Sequence, residues 1–299
     1  MPSALSAKAR AKINFALHVL GRRRDGFHDL DSIVAFAEFG DTVAVEPCRD
    51  LSIEVSGPAS AGVPADERNV AAKAARMLSA NLGAKIKIEK WIPAASGLGG
   101  GSSDAAAALR LLSKQWGVSI GPISNFARVG ADVPVCLAGG CSRIRGAGET
   151  VELLEPGWPE LPLVLANAGK EVSTTRVFQG VKRFGGALVG EIPGTCSVGE
   201  LAAWLENQRN DLESPALSIA PEIRDVLSQL SSCRGCLLAR MSGSGGTCFG
   251  IFESSEAAVR AKRKVHRANS SWWCIATKTS AIGRKIGAPE FNTPEPRLF

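Results

Sequence analysis

Residues 93–108 read PAASGLGGGSSDAAAA, four glycines and three serines in a short loop that runs straight into an alanine-rich helix. Glycine has no Cβ, so its main-chain N–H groups can approach a ligand closely, and the first turn of a helix adds unpaired N–H donors and the positive end of a dipole. The combination is an anion cradle, and phosphate is the anion it suits. Ser102 and Ser103 add hydroxyls able to cap the helix, bind phosphate oxygens or meet a metal. Asp104 suits the helix dipole. A flexible turn before a helix is the plain alternative.

Two other phosphate loops are excluded. A Walker loop needs a lysine after its glycines, and none follows here. A dinucleotide fingerprint needs a third glycine where Ser102 stands, and the loop does not follow the chain's first strand.

The chain has 299 residues, 45% hydrophobic and 21% charged. That is ordinary globular material, too long for one core, so two domains are expected, residues 1–160 and 161–283, with a loosely attached tail over 284–299. The proline-rich stretch 155–162 is the expected connection. No apolar run approaches the roughly 20 residues of a membrane helix, and the first residues lack the apolar region of an export signal. A net charge of +6 suits anionic small substrates as well as nucleic acid. The eight cysteines are scattered, as in a reduced cytoplasmic protein. Cys233 and Cys236 form a lone C-x-x-C without the second pair that a zinc site needs.

Around the loop, the alternation over residues 9–19 predicts a strand with Lys12, Asn14 and His18 on one face. A solvated face is the plain reading of those three. The stretch GRRRDGFH at residues 21–28 contains the Asp25-Gly26 turn and sets Phe27 beside His28, a pair suited to stacking on and reading a nucleobase. Strands are expected over 31–38, 41–47, 51–55 and 85–91, and helices over 69–82 and 105–116. Asp132, in GADVP at residues 130–134, either braces a bend or is a carboxylate held rigidly for chemistry. Further on, a strand over 163–168, a helix from about 172, a helical stretch over 210–230, a second glycine-serine loop at 242–246 and a basic helix over 255–267 are expected.

Five motifs then stand in order: Ala11 to Asn14, Asp25 to His28, Pro93 to Ser103, Gly130 to Pro134, and Gly243 to Gly245. Over residues 8–283 the set resembles the GHMP kinase superfamily, and within it the family that phosphorylates cytidylylated methylerythritol. The resemblance implies an α+β, two-domain GHMP kinase fold. Its N-terminal α/β domain carries a left-handed β-α-β crossover, its C-terminal domain is ferredoxin-like, and the active site lies between them. It also implies an ATP- and Mg²⁺-dependent kinase of isoprenoid precursor biosynthesis. That kinase would take a small-molecule acceptor carrying a cytidine diphosphate, bind neither nucleic acid nor membrane, and work in the cytoplasm as a monomer or weak homodimer.

By the same resemblance Lys12 and Asp132 are the catalytic pair. Pro93, Gly97, Leu98, Gly99, Gly100, Gly101, Ser102 and Ser103 hold the ATP phosphates, with Ser103 as the metal contact. Asn69, Val70 and Lys90 approach the adenosine. Asn14, Phe27, His28, Thr174, Phe178, Gly243 and Ser244 bind the acceptor, and phenylalanine at 27, where many relatives have tyrosine, keeps the stacking face without a hydroxyl. A kinase for homoserine or mevalonate, and a nucleic-acid binder using Arg22 to Arg24 and Arg260 to Arg267, are the competing readings. The first leaves the 25–28 turn unexplained, and the second leaves the glycine loop and Asp132 without a role.

Overall fold

The computed structural model describes residues 5–154 and 158–280. The whole of the expected tail, 284–299, and part of the proline-rich connection lie outside the described residues. Two long strands, β1 (Leu5–Arg22) and β2 (His28–Pro47), pair antiparallel along their whole length around the Asp25-Gly26 turn. The break expected at residues 39–41 is absent, and β2 runs through it. Gly40 is needed there for close approach: a Cβ would lie 2.1 Å from the carbonyl oxygen of Ala9, beside a register shift between Arg10 and Lys12.

Next come β3 (Ser52–Ser56), α1 (Val70–Leu78) and β4 (Ala84–Glu89). β3 and β4 are parallel, so α1 is the crossover of a β-α-β unit. The Asn69 carboxamide starts α1 by accepting from the Ala71 amide at 2.9 Å, and the helix stops at Leu78, short of the expected 82. α2 spans Gly100–Trp116, five residues earlier than the alanine run suggested, so most of the glycine-serine loop is its first turn. α3 (Val133–Ala138), β5 (Ser142–Gly146) and β6 (Thr150–Leu153) complete this half. The sheet order is β3-β4-β2-β5-β6, with β1 on β2. Alanines of α1 and α2 let both helices lie close on Val43, Val45, Ile86 and Ile88.

The second half contains β7 (Pro162–Asn167), α4 (Thr174–Gln179), α5 (Val198–Glu206), α6 (Glu213–Ile219), α7 (Glu222–Ser231), β8 (Cys236–Met241), β9 (Thr247–Phe252), α8 (Ser255–Ala268) and β10 (Trp273–Lys278). Its antiparallel sheet has the order β10-β7-β9-β8, the ferredoxin-like arrangement. The single helical stretch expected over 210–230 is two helices. Pro221 cannot continue a helix, and it forces Ala220 out of helical geometry to φ −132° and ψ 84°.

The two halves share a core. Ile13 and Phe15 of β1 pack with Leu163, Leu165, Phe249 and Ile251, and the Phe15 and Phe249 rings meet edge-on at 5.1 Å. The free edge of β1 is covered from both sides. The Lys12 amide donates to Leu98, the Leu17 amide donates to Arg209, and the Asp211 amide donates back to Leu17. The face of Lys12, Asn14 and His18 is therefore buried rather than solvated.

Candidate active site

One cleft of about 920 Å³ opens over this seam, lined by residues of both halves. On its floor Lys12 Nζ stands 3.1 Å from Asp132 Oδ2. The lysine is 4% exposed, and it also donates to Asn14 Oδ1 at 2.8 Å. Asn14 is in turn held by donating to Ser32 Oγ at 2.9 Å. Asp132 sits at the N-cap position of α3 yet makes no capping hydrogen bond, and its side chain keeps 38% of its surface exposed. Of the two sequence readings, the bracing role is therefore the one without a bond to support it.

Beside this pair is the N-terminus of α2. Its N-cap, Gly99, has φ 63° and no side-chain cap, and the first main-chain bond into it comes from the Ser103 amide. The amides of Gly100, Gly101 and Ser102 are left at the helix start without an intrahelical partner. A Cβ on Gly99 would come 3.1 Å from Lys12 Cε and 3.5 Å from Asp132 Oδ2, so glycine leaves this pair room. A Cβ on Gly101 would meet only Val70, at 3.7 Å, and otherwise enter the cleft. Open amides at a helix N-terminus and a wall without side chains fit a polyphosphate.

The other glycines serve to join the two halves. A Cβ on Gly97, whose φ is 77°, would fall 2.5 Å from the Ser242 carbonyl and 2.6 Å from that of Gly245. One on Gly243 would fall 2.9 Å from the Gly97 carbonyl. The two loops are tied by Thr247 N–H donating to Ser96 O at 3.0 Å and by Ser242 Oγ donating to Gly97 O at 3.3 Å. Thr174 and Ser244 share a hydroxyl bond of 2.7 Å on the same wall.

Several predicted contacts are placed differently. Ser103 is turned inward: its hydroxyl donates to the Arg10 carbonyl at 2.7 Å and it lies against Cys136 Sγ, so it does not line the cleft as a metal contact would. Leu98 has its side chain in the core, and its carbonyl serves Lys12. Lys90 borders the cleft, but its ammonium donates to Asp104 at 2.6 Å and to Asp41, all three nearly solvent-free. Its main-chain N–H and C=O are also bonded, to Ser56 and Ala59. Asp41 accepts further bonds from the Trp91 and Ile92 amides. Asp104 Oδ1 has no partner, and burial pushes the Asp104 carboxyl up to about 7. Asn69 is spent as a helix cap, with its amide donating to Pro64 O. Asn14 stands with Lys12 and Asp132 rather than with the rings.

At the far end of the cleft Phe27, His28, Phe178 and Phe184 gather, and Phe27 is 58% exposed. Burial, and then the charge of Arg22, push the His28 imidazole below its usual value. Arg23 is taken up by Asp25, Asp29 and Glu149, which removes it from any anion-binding patch. His18 is wholly internal: Nδ1 lies 2.9 Å from the Ala187 carbonyl, and Nε2 accepts the Arg209 amide, which fixes the neutral tautomer with the proton on Nδ1. Pro64, Arg68 and Gly148 also line the cleft without having given a sequence signal, because the loops carrying them reach it only through the fold. Among the described residues no cluster of three metal-ligating side chains occurs.

The topology, the open N-terminus of α2 and the Lys12–Asp132 pair between the halves agree with a small-molecule kinase. A family model for the GHMP kinases N terminal domain matches residues 69–140, and one for the GHMP kinases C terminal region matches residues 197–271. The chain belongs to the GHMP kinases. The 4-diphosphocytidyl-2-C-methyl-D-erythritol kinase of Cereibacter sphaeroides is 47% identical over 268 residues, covering 89% of this chain and 96% of that protein. Its counterpart in Parvibaculum lavamentivorans is 44% identical over 283 residues, covering 91% and 97%. A crystal structure of 4-(cytidine 5'-diphospho)-2C-methyl-D-erythritol kinase matches with a TM-score of 0.72 at 31% identity, over 92% of this chain and 99% of that one. Homoserine kinase from Cytophaga hutchinsonii, with a TM-score of 0.67 at 18% identity over 95% and 97%, shares the fold. Within the GHMP kinases, the chain belongs to the 4-diphosphocytidyl-2-C-methyl-D-erythritol kinase family.

Proposed function

We propose that this kinase transfers the γ-phosphoryl group of ATP to the 2-hydroxyl of 4-(cytidine 5'-diphospho)-2-C-methyl-D-erythritol, giving the 2-phosphate and ADP. The observation that carries this reading is the order of groups along one cleft: the bare N-terminus of α2, the Lys12–Asp132 pair at 3.1 Å, then the aromatic end. The amides of Gly100, Gly101 and Ser102 bind triphosphate oxygens. Asp132 accepts the proton of the attacking hydroxyl. Lys12, fixed by Asn14, keeps a positive charge beside that carboxylate and beside the transferring group. Phe27, His28 and Phe178 stack on and orient the cytosine, which holds the acceptor hydroxyl over Asp132. When bound, Mg²⁺ would supply charge screening for the phosphates that the amides of Gly100, Gly101 and Ser102 would hold.

The same reading assigns residues 1–160 to nucleotide binding and residues 161–283 to closing the cleft, in a cytoplasmic monomer or weak homodimer. Among the described residues no helix is long and apolar enough to cross a membrane. The test is ADP release, measured with the cytidylylated methylerythritol and, in parallel, with homoserine, mevalonate and uncytidylylated methylerythritol phosphate. ADP release is expected with the cytidylylated compound alone. Turnover that ignores the cytidine, or that prefers another alcohol, refutes the proposal.

A further inference from the structure

Phe184 has no role in the reading so far. It lies in the irregular segment between α4 and α5, and it is one of two phenylalanines exposed on the cleft, at 45% of its surface, the other being Phe27. Its ring stacks on His28 with centroids 5.8 Å apart and planes inclined by 30°, while Phe178 meets His28 at 4.9 Å. The imidazole thus has a phenyl ring as neighbour from α4 and another from this segment.

The position of Phe184 is imposed by its backbone. The next residue, Gly185, donates its amide to the Leu20 carbonyl at 2.8 Å. Ala187 bonds His18, and the Val189 amide donates to Asp31 at 2.9 Å. Asp31 is itself gripped by Arg143 through bonds of 2.7 and 2.6 Å. Burial alone would push the Asp31 carboxyl up, but the Arg143 and Val189 bonds outweigh it and hold the group below its usual value. A segment without regular structure is therefore pinned to β1 and β2 at three successive points directly after the ring.

The order along β1 says which ligand this ring would meet. Lys12 marks the reacting centre, and Gly99 and Gly101 place the phosphate cradle toward Val70. Leu20 and Arg22, where Phe184 and His28 are anchored, lie at the opposite end of the strand. An exposed phenyl ring there, stacked on the His28 imidazole, suits a planar base on the acceptor side and not the adenine of ATP.

We propose that Phe184 is a further specificity-determining residue, an aromatic wall for the pyrimidine of the acceptor. This rests on the reading that the acceptor carries a cytidine diphosphate. The experiment compares Phe184→Ala, Phe184→Leu and Phe184→Trp with the parent in steady-state kinetics, and measures competitive inhibition by CDP. Circular dichroism and thermal unfolding check that each variant is folded. For Phe184→Ala, KM for the acceptor and Ki for CDP are expected to rise about tenfold, the size of one lost base–aromatic stack. kcat and KM for ATP stay within about twofold, Trp restores binding and Leu does not. Unchanged acceptor binding in Phe184→Ala, or full rescue by Leu, overturns the proposal. If Phe178→Ala weakens CDP while Phe184→Ala does not, the base-recognition reading stands and this proposal falls. If CDP does not compete with the acceptor in the parent enzyme, both fall together.

Discussion

Asp104→Asn should make the protein more stable, and by an amount that depends on pH. Asp104 is 2% exposed, shares Lys90 with Asp41, and has one oxygen without a partner. Burial pushes its carboxyl up from 3.8 to about 7, with the Lys90 charge opposing and the Asp41 charge adding. A carboxyl whose folded value is raised gives stability that is complete below its unfolded value and is lost as pH rises through the folded one. The window is thus pH 3.8 to about 7. Each unit is worth ~1.36 kcal/mol, so about 4 kcal/mol is lost across the window, a large share of a typical domain's stability. With Asp104 this buried there is little solvent screening to reduce it. Asparagine keeps the shape and never ionises. Urea unfolding followed by the fluorescence of the six tryptophans, from pH 4 to pH 8, measures the difference. Variant and parent should be close at about pH 4, diverge up to about pH 7 and stay parallel above, with the variant the more stable. A gap independent of pH, or one that narrows as pH rises, refutes the reasoning.

Lys90→Met leaves two carboxylates buried without their cation, so it should cost about 3–5 kcal/mol in the same assay, and Asp104→Asn on that background should recover part of it. Asp132→Asn, at a half-exposed position that caps nothing, should unfold like the parent while kcat falls by about 10²–10⁴. Near-normal turnover would remove Asp132 from the chemistry. Gly97→Ala puts a Cβ into the two backbone carbonyls of the facing loop at a positive φ, and should lower stability by about 3 kcal/mol or more as well as weaken ATP binding. Unchanged melting temperature and unchanged KM for ATP would show that the two loops do not bear on one another.

Local rules read the chain well where the cause is local. The turn at Asp25-Gly26 and the glycine-serine loop opening into α2 follow from a few neighbouring residues. They fail where a distant strand decides. Gly40 reads as a turn because glycine usually marks one, yet it is there to let the Ala9 carbonyl pass. Ser103 and Ser102 are alike in sequence. The pitch of α2 turns the first into the core against Arg10 and leaves the second on the cleft. Phe184 gave no signal, since an isolated phenylalanine in an irregular stretch has no period to be read.

Taken alone, the order of residues was enough for the class of protein and for the open helix start of the glycine-serine loop, because helix starts and glycine geometry act over a few residues and motifs can be read in series; the pairing of Lys12 with Asp132 came only with the family resemblance. The use made of those groups required the tertiary structure. Burial along β1 changes Lys12, Asn14 and His18 from a solvated face into a seam between two sheets. Burial likewise commits the Lys90 ammonium to Asp41 and Asp104. Desolvation and contact at long sequence separation are properties of packing, and neither can be computed from a residue and its neighbours in the chain.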